Sequence, residues 1–426
     1  MSNISTVRPA PPTPGPTGPG RLARLRAAVA SLAPFTAALV AFTSVLDYVP
    51  DDWFTAAFLH YLFAGLCALC VGLSLRLLTR FGGRSAAPQQ APDATDGVSQ
   101  HPAAAVILGE SVSGVVAEHR VVNHQGTLLH GWSQYLDDPV PPTAVGTAYG
   151  LRLVTLLDVR DGRISRHRLT QTLLALQKPG GGWAASTQRE LGRPEITAWV
   201  LSALCRAGLD DDRKDEFVRV LEGMLDPALD PIGMNNTTVV AAAVSTLAEL
   251  APASPRLPEL ARRLVDGGHS RESSGQTLTH WSESLSGGAH SAVHTARAVT
   301  ALHQAAAVIH TNSAWLNAAR AGVASLCESD ISLHTTVEQL RRPVADGSVD
   351  ALFVGHFTAA WVARAIMSGD VSPAQEERLR DAVEDVLRAR RNALWRWHDG
   401  SAPIWMTYQG ARVLKDYALR NSTWLR

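Results

Sequence analysis

Glu195, His290, His294 and His356 are side chains that move protons or hold metals. Each stands within five residues before a threonine that opens an alanine-rich segment. His290 and His294 are four apart, the spacing that puts two imidazoles on one face of a helix, one turn apart. Such a pair can ligate a metal, with His356 or Glu195 as third ligand, or exchange protons near neutral pH with a facing acid. Glu195, if buried, is the one candidate general acid. Asn235, Asn236 and Trp405 hold the same position before two other segments and can orient a ligand. With 15 histidines in 426 residues, spacing alone certifies no ion. The expectation is therefore a ligand pocket of Asn235, Asn236, His290, His294, His356 and Trp405. No metal is assigned, and the sequence specifies no cofactor.

The elements that must position these residues recur along the chain. Thr143, Thr197, Thr238, Thr295, Thr358 and Thr407 each open a run of small residues, 54, 41, 57, 63 and 49 apart. That period suits two helices and two loops per unit, and six units fill residues 103–426. Tryptophans precede several of these starts: Trp183 and Trp281 by 14 residues, Trp132 by 11 and Trp397 by 10. Almost no strand-like alternation is visible. The fold predicted is all-α, an (α/α)6 toroid whose inner helices crowd on small residues. Its outer helices carry charge, as Arg378 to Arg391 does with Asp381, Glu384 and Asp385 interleaved. Asp210, Asp211 and Asp212 follow a helix end and read as loop and cap residues.

The stretch Leu-Leu-Ala-Leu-Gln177-Lys-Pro-Gly-Gly181-Gly-Trp183 resembles the QW repeat of the terpenoid cyclase and protein prenyltransferase superfamily, whose domains are such toroids. The resemblance implies that Gln177 and Trp183 stitch a loop onto neighbouring helices. It does not extend to chemistry. The D-x-D-D acid motif, the D-x-C zinc pair and the Cys-Gly-Glu-Gln thioester of that superfamily are all missing here.

Residues 1–20 are rich in Pro, Gly and Thr and read as disordered. Residues 27–46 and 53–75 carry no charge, and each is long enough to span a bilayer as a helix. Arginines flank the pair, and Asp47, Asp51 and Asp52 lie between the spans. The positive-inside bias predicts a two-pass hairpin over 21–80 in the inner membrane, with both termini cytoplasmic. Residues 81–102 read as a linker. Basic and acidic residues balance at 39 each, which gives no reason to expect a nucleic-acid partner. Cys67, Cys70, Cys205 and Cys327 make no disulfide framework and fit a reducing compartment. The functional expectation is a membrane-anchored toroid binding an apolar or amphipathic ligand, such as an isoprenoid or lipid, or a protein partner. The alternatives are a divergent isoprenoid or terpenoid-processing enzyme, and a sensor–effector acting through a hairpin that oligomerises.

Overall fold

The computed structural model describes residues 104–185, 192–309, 313–328, 331–343 and 349–421. The predicted spans, the N-terminal segment and the linker lie outside the described residues. Among the described residues no helix is long and apolar enough to cross a membrane.

Among the described residues, twelve α-helices alternate between an outer and an inner position. The outer ones are α1 (Ala104–Ala117), α3 (Arg166–Ala175), α5 (Asp211–Met224), α7 (Arg256–Asp266), α9 (Ser313–Leu326) and α11 (Pro373–Arg388). The inner ones are α2 (Ala144–Leu156), α4 (Pro194–Arg206), α6 (Thr237–Leu250), α8 (Ala292–Val308), α10 (Thr358–Met367) and α12 (Ile404–Arg420). Outer helices are amphipathic. On α7, Leu257, Leu260, Ala261 and Leu264 are buried while Arg262 faces water, an i, i+3, i+4, i+7 stripe. Inner helices are surrounded on all sides, and α6 buries 11 residues, among them Ala241, Ala242, Ala243 and Ala248. Small side chains let neighbouring inner backbones approach closely. Each inner helix packs on the next in chain order, and α12 packs back on α2, so the ring closes. Polar side chains start the helices: Thr143, Ser165, Asp210 and Asn236 each cap one, and Ser372 forms a capping box with Gln375. Asp210 is thus a cap, as its place after a helix end implies.

The all-α expectation needs correcting. Among the described residues, four antiparallel two-stranded hairpins enter the ring: β1 (Arg120–His124) with β2 (Thr127–Gly131), β3 (His269–Ser273) with β4 (Gln276–His280), β5 (Thr336–Pro343) with β6 (Val349–His356), and β7 (Arg390–Arg391) with β8 (Leu394–Trp395). Each connects an outer helix to the following inner one. Two of them turn on left-handed pairs, Gln125–Gly126 and Ser274–Gly275, the backbone that a two-residue hairpin turn requires.

The tryptophan repeat is a stitch. Trp132, Trp183, Trp281 and Trp395 are fully buried. Each indole N–H donates to a carbonyl of the preceding outer helix: Val115 at 2.7 Å, Leu173 at 2.6 Å, Leu264 at 2.6 Å and Val386 at 2.7 Å. The backbone N–H groups of Trp183, Trp281 and Trp395 donate to the hydroxyls of Thr197, Thr295 and Thr407 on the next inner helix. One residue therefore ties two layers together. Two phases shift as a result: Thr143 is a cap and Thr147 holds the repeat position, while Trp395, not Trp397, is the last stitch. The last stitch also dictates a glycine. A Cβ on Gly410 would lie 2.4 Å from the Trp395 ring. Gly410→Ala should therefore destabilise the domain by about 1–3 kcal/mol in denaturant melts, although alanine is the better helix former. An unchanged or raised melt would mean that the ring yields freely.

Candidate functional site

The hairpin of eight-residue strands, β5–β6, differs from the others in length and in position. Its inward face alternates with its outward one: Glu338, Leu340, Leu352, Val354 and His356 are buried, while Val337, Val349 and Phe353 face water. Residues 352–355 of β6 share a small cavity with the first turns of α2, α4 and α12, through Val145, Ile196 and Trp405. The hairpin thus lies across the mouth of the ring, at the N-terminal ends of the inner helices.

A buried carboxylate fastens it there. Glu338 Oε1 accepts from the Asn236 amide at 2.6 Å, and Oε2 accepts from the Thr238 hydroxyl at 2.8 Å and from His356 Nε2 at 2.8 Å. His294 Nε2 stands 3.3 Å from Oε2, at ion-pair distance but without hydrogen-bond alignment. Burial works to raise the Glu338 pKa; the surrounding imidazoles more than offset it and hold the carboxyl well below the usual range. An Arg297 guanidinium N–H lies 3.2 Å from His356 Nδ1, so Nδ1 accepts and the ring proton sits on Nε2, facing Glu338. Burial pushes His356 down to about 4; Glu338 opposes this and the Arg297 charge adds to it. The resulting chain is Arg297, neutral His356, then ionised Glu338.

The donor atoms of His294, Glu338 and His356 lie within 4.8 Å of one another, a spacing open to a metal ion. The donor chemistry does not fit one. A metal on His356 Nε2 would move the ring proton to Nδ1, where it would face the Arg297 N–H donor. It would also sit close to a buried guanidinium. The cluster is a hydrogen-bonded clasp.

Beside the clasp opens a cleft of about 620 Å3, within the range of small-molecule sites. Glu195, Asn235, Asn236, Glu283, Ser284, Gln339 and Arg341 line it. Glu195 is buried and pairs with Arg193, Nε to Oε1 at 2.5 Å, and Arg193 also lies 3.6 Å from Asp350 of β6. Asn235 donates to the Ser284 and Ser286 hydroxyls, both at 3.0 Å. Glu283 is exposed, yet its pKa is raised by partial desolvation and by the Glu338 charge, with His294 and Arg341 opposing.

The sequence-predicted residues therefore part company. His294 and His356 meet, and their rings stand edge to face at 5.6 Å. Glu195 lines the cleft, paired with Arg193; the acid that joins the two histidines is Glu338, which the sequence reading missed. His290 is elsewhere. Helix α8 begins only at Ala292, so His290 precedes it, exposed, with its ring 4.7 Å from that of His280. It shares no helix face with His294, and the i, i+4 reading fails. Asn236 serves both as cap and as clasp donor, and Asn235 lines the cleft. Trp405 is buried, edge to face with Trp397 at 5.4 Å and pressed against Gly355. The alternation Val349-Asp-Ala-Leu-Phe-Val-Gly-His356 was the signal for β6, and hence for the strand that pairs it to Glu338.

No family model matches the chain, and no curated protein is similar to it in sequence. Solved structures similar in shape include a family 76 glycoside hydrolase from a bovine Bacteroides thetaiotaomicron strain, with a TM-score of 0.49 and 10% identity over 75% of this chain and 78% of that one. A family 76 α-1,6-mannanase from a Salegentibacter species has a TM-score of 0.48 and 11% identity over 74% of this chain and 99% of that one. A sugar epimerase from a ruminal bacterium has 0.46 and 11%, over 74% and 98%. These are α/α toroids of another family, so the terpenoid cyclase and prenyltransferase resemblance of the Gln177–Trp183 stretch is not upheld. Likenesses this shallow say nothing of this chain's own substrate. The expectation of an apolar or isoprenoid ligand falls with the resemblance, and the cleft opposes it too, while the predicted anchor lies outside the described residues. Carboxylates and amides covered by a hydrocarbon chain would lose their water without gaining partners.

Proposed function

We propose that this domain is an acid–base enzyme acting on a hydroxyl-rich ligand of the carbohydrate class in the cleft beside β5–β6. Glu283 serves as general acid and Glu195 as the partner carboxylate. One observation carries the reading: two carboxyl groups in opposite environments line one cleft. Glu283 keeps its proton to higher pH than an ordinary glutamate, so it can protonate a departing or exchanging oxygen. Glu195, ion-paired with Arg193, can take a proton from water or face a developing positive charge. Asn235, Ser284, Gln339 and Arg341 supply donors and acceptors for hydroxyl groups.

The test incubates the full-length protein with aryl glycosides and free sugars of several configurations and follows products by mass spectrometry. Glu283→Gln should lower kcat by about 10²–10⁴-fold, with an unchanged melting temperature because the side chain is exposed. The wild-type rate should fall as rising pH strips the Glu283 proton, above the ordinary glutamate range, and the variant should lack that limb. Absence of turnover on every saccharide would overturn the reading. So would wild-type rates in both Glu283→Gln and Glu195→Gln.

A further inference from the structure

Further along the axis, past the clasp, side chains of all six inner helices line another cavity, of about 60 Å3. Five of them each send an arginine to its wall: Arg152 from α2, Arg206 from α4, Arg297 from α8, Arg364 from α10 and Arg412 from α12. Helix α6 contributes Glu249. Two carboxylates answer these five charges: Glu249 pairs with Arg206 at 2.6 Å, and Asp416 pairs with Arg412 at 3.3 Å. Three guanidiniums remain without a carboxylate among the described residues. Arg152 lies over the Tyr408 ring at 4.7 Å, and Arg297 and Arg364 lie over Trp361 at 4.2 and 4.5 Å. The Nε groups of Arg152 and Arg297, and the Oε1 of Gln409, are buried without hydrogen-bond partners. Arg297 is 4% exposed and Gln409 is 3% exposed, and both line this cavity.

Arginines near helix C-termini can serve the helix dipole and the last carbonyls. That explains Arg206 and Arg364, which stand in last turns, but not Arg152, Arg297 or Arg412, which do not. Uncompensated charge in a confined space is unfavourable, and a fold that gathers three guanidiniums without carboxylates around a void, Arg297 buried and Arg152 and Arg364 partly so, is complementary to an anion. Two side chains register the imbalance. Burial, with Arg412 adding to it, pushes Arg364 down to about 9. Against its own burial, Tyr408 is drawn down to about 7 by Arg152, Arg412 and Arg364.

We propose that the axial chamber is a binding site for a small oxyanion: inorganic phosphate or the phosphomonoester end of a larger molecule. The volume sets the class. About 60 Å3 admits a few water-sized groups, hence a phosphate or sulfate but not a sugar or nucleotide. A wider cavity of about 240 Å3 adjoins it at the far end of the inner helices, where Gln304, Arg364 and Arg412 line both. The body of an ester would rest there. This site is separate from the Glu195–Glu283 cleft and independent of the proposed activity.

Thermal melts of the full-length protein with inorganic phosphate, with glycerol 3-phosphate and with chloride at equal ionic strength test it. Phosphate or the ester should raise the melting temperature saturably, by about 5 °C, beyond chloride. Arg152→Met and Arg364→Met should each abolish the rise, and Arg152→Met should do so without lowering the ligand-free melt, since it removes a charge that has no carboxylate and no helix end to serve. If those variants do not fold, Tyr408 reports instead. Phosphate should move its phenolate absorbance titration to higher pH, a change missing in Tyr408→Phe. A response to phosphate alone identifies a free oxyanion, and a stronger response to the ester identifies the end of a larger molecule. No response beyond chloride overturns the site, as does a rise that survives both arginine variants.

Discussion

Glu338→Ala should lower the stability of the domain by about 3–5 kcal/mol, the range for removing one partner from a buried charged cluster. The truncation leaves the Asn236 amide and Thr238 hydroxyl without their acceptor and leaves His356 with Arg297 as its remaining hydrogen-bond partner. The isosteric Glu338→Gln should also be costly, which separates lost chemistry from lost volume. Its amide oxygen can replace Oε2, facing Thr238 and His356, but its NH2 then meets the Asn236 NH2. Asn236 cannot turn its oxygen to meet it without releasing the Val239 N–H, and with it the cap of α6. Denaturant melts should show both variants destabilised, with Gln between Ala and wild type. A loss below about 1 kcal/mol for Glu338→Ala would mean that β5–β6 is held by its apolar contacts and that the clasp is incidental.

Acid should undo the same clasp. His356 is held neutral, near 4 against an ordinary 6.5, so between those values the unfolded chain binds a proton that the folded one does not. Stability must therefore fall as pH drops from 6.5 to 4, by about 3 kcal/mol for a shift of this size. Glu338 acts in the same direction one step lower. Its carboxyl stays ionised in the fold below the pH at which the unfolded glutamate, near 4.5, takes up a proton. The full loss extends below pH 4. Urea melts across this range should show the decline, and His356→Gln, which can still accept from Arg297 and donate to Glu338, should flatten its upper part only. A stability constant from pH 7 to 4 would show that both groups titrate in the fold as they do in the open chain.

The ring was legible because its cause is local. Crowded inner helices need small residues, and the starts at Thr197, Thr238, Thr295, Thr358 and Thr407 carry that need openly in the sequence, each within the first turn of its helix. The hairpins were less legible. Their strands are short, and the turn pairs Gln125–Gly126 and Ser274–Gly275 advertise themselves only by a glycine. The tryptophan phase slipped at two places for separate reasons: Thr143 caps its helix instead of standing one turn inside it, and the last stitch is Trp395 at the end of β8. The clasp could not be read at all, since Glu338 gathers partners 100 and 102 residues away from α6 and 18 away at the end of β6. No spacing rule joins such residues; only the closed ring does. His290 shows the converse error, a four-residue spacing that would share a face only if the helix had begun two residues sooner.

Closure of α12 on α2 gives the fold a consequence in time as well as in space. An open helical array can add units one by one, each new pair resting on the last, with a terminal unit that tolerates water. A ring has no such end. Until α12 arrives, one flank of α2 and one of α10 stay bare, so this domain cannot mature piecemeal on the ribosome. Its early helices must wait, collapsed but incomplete, for the last helix of the circle. Any truncation that removes that helix takes away the seam of the whole barrel.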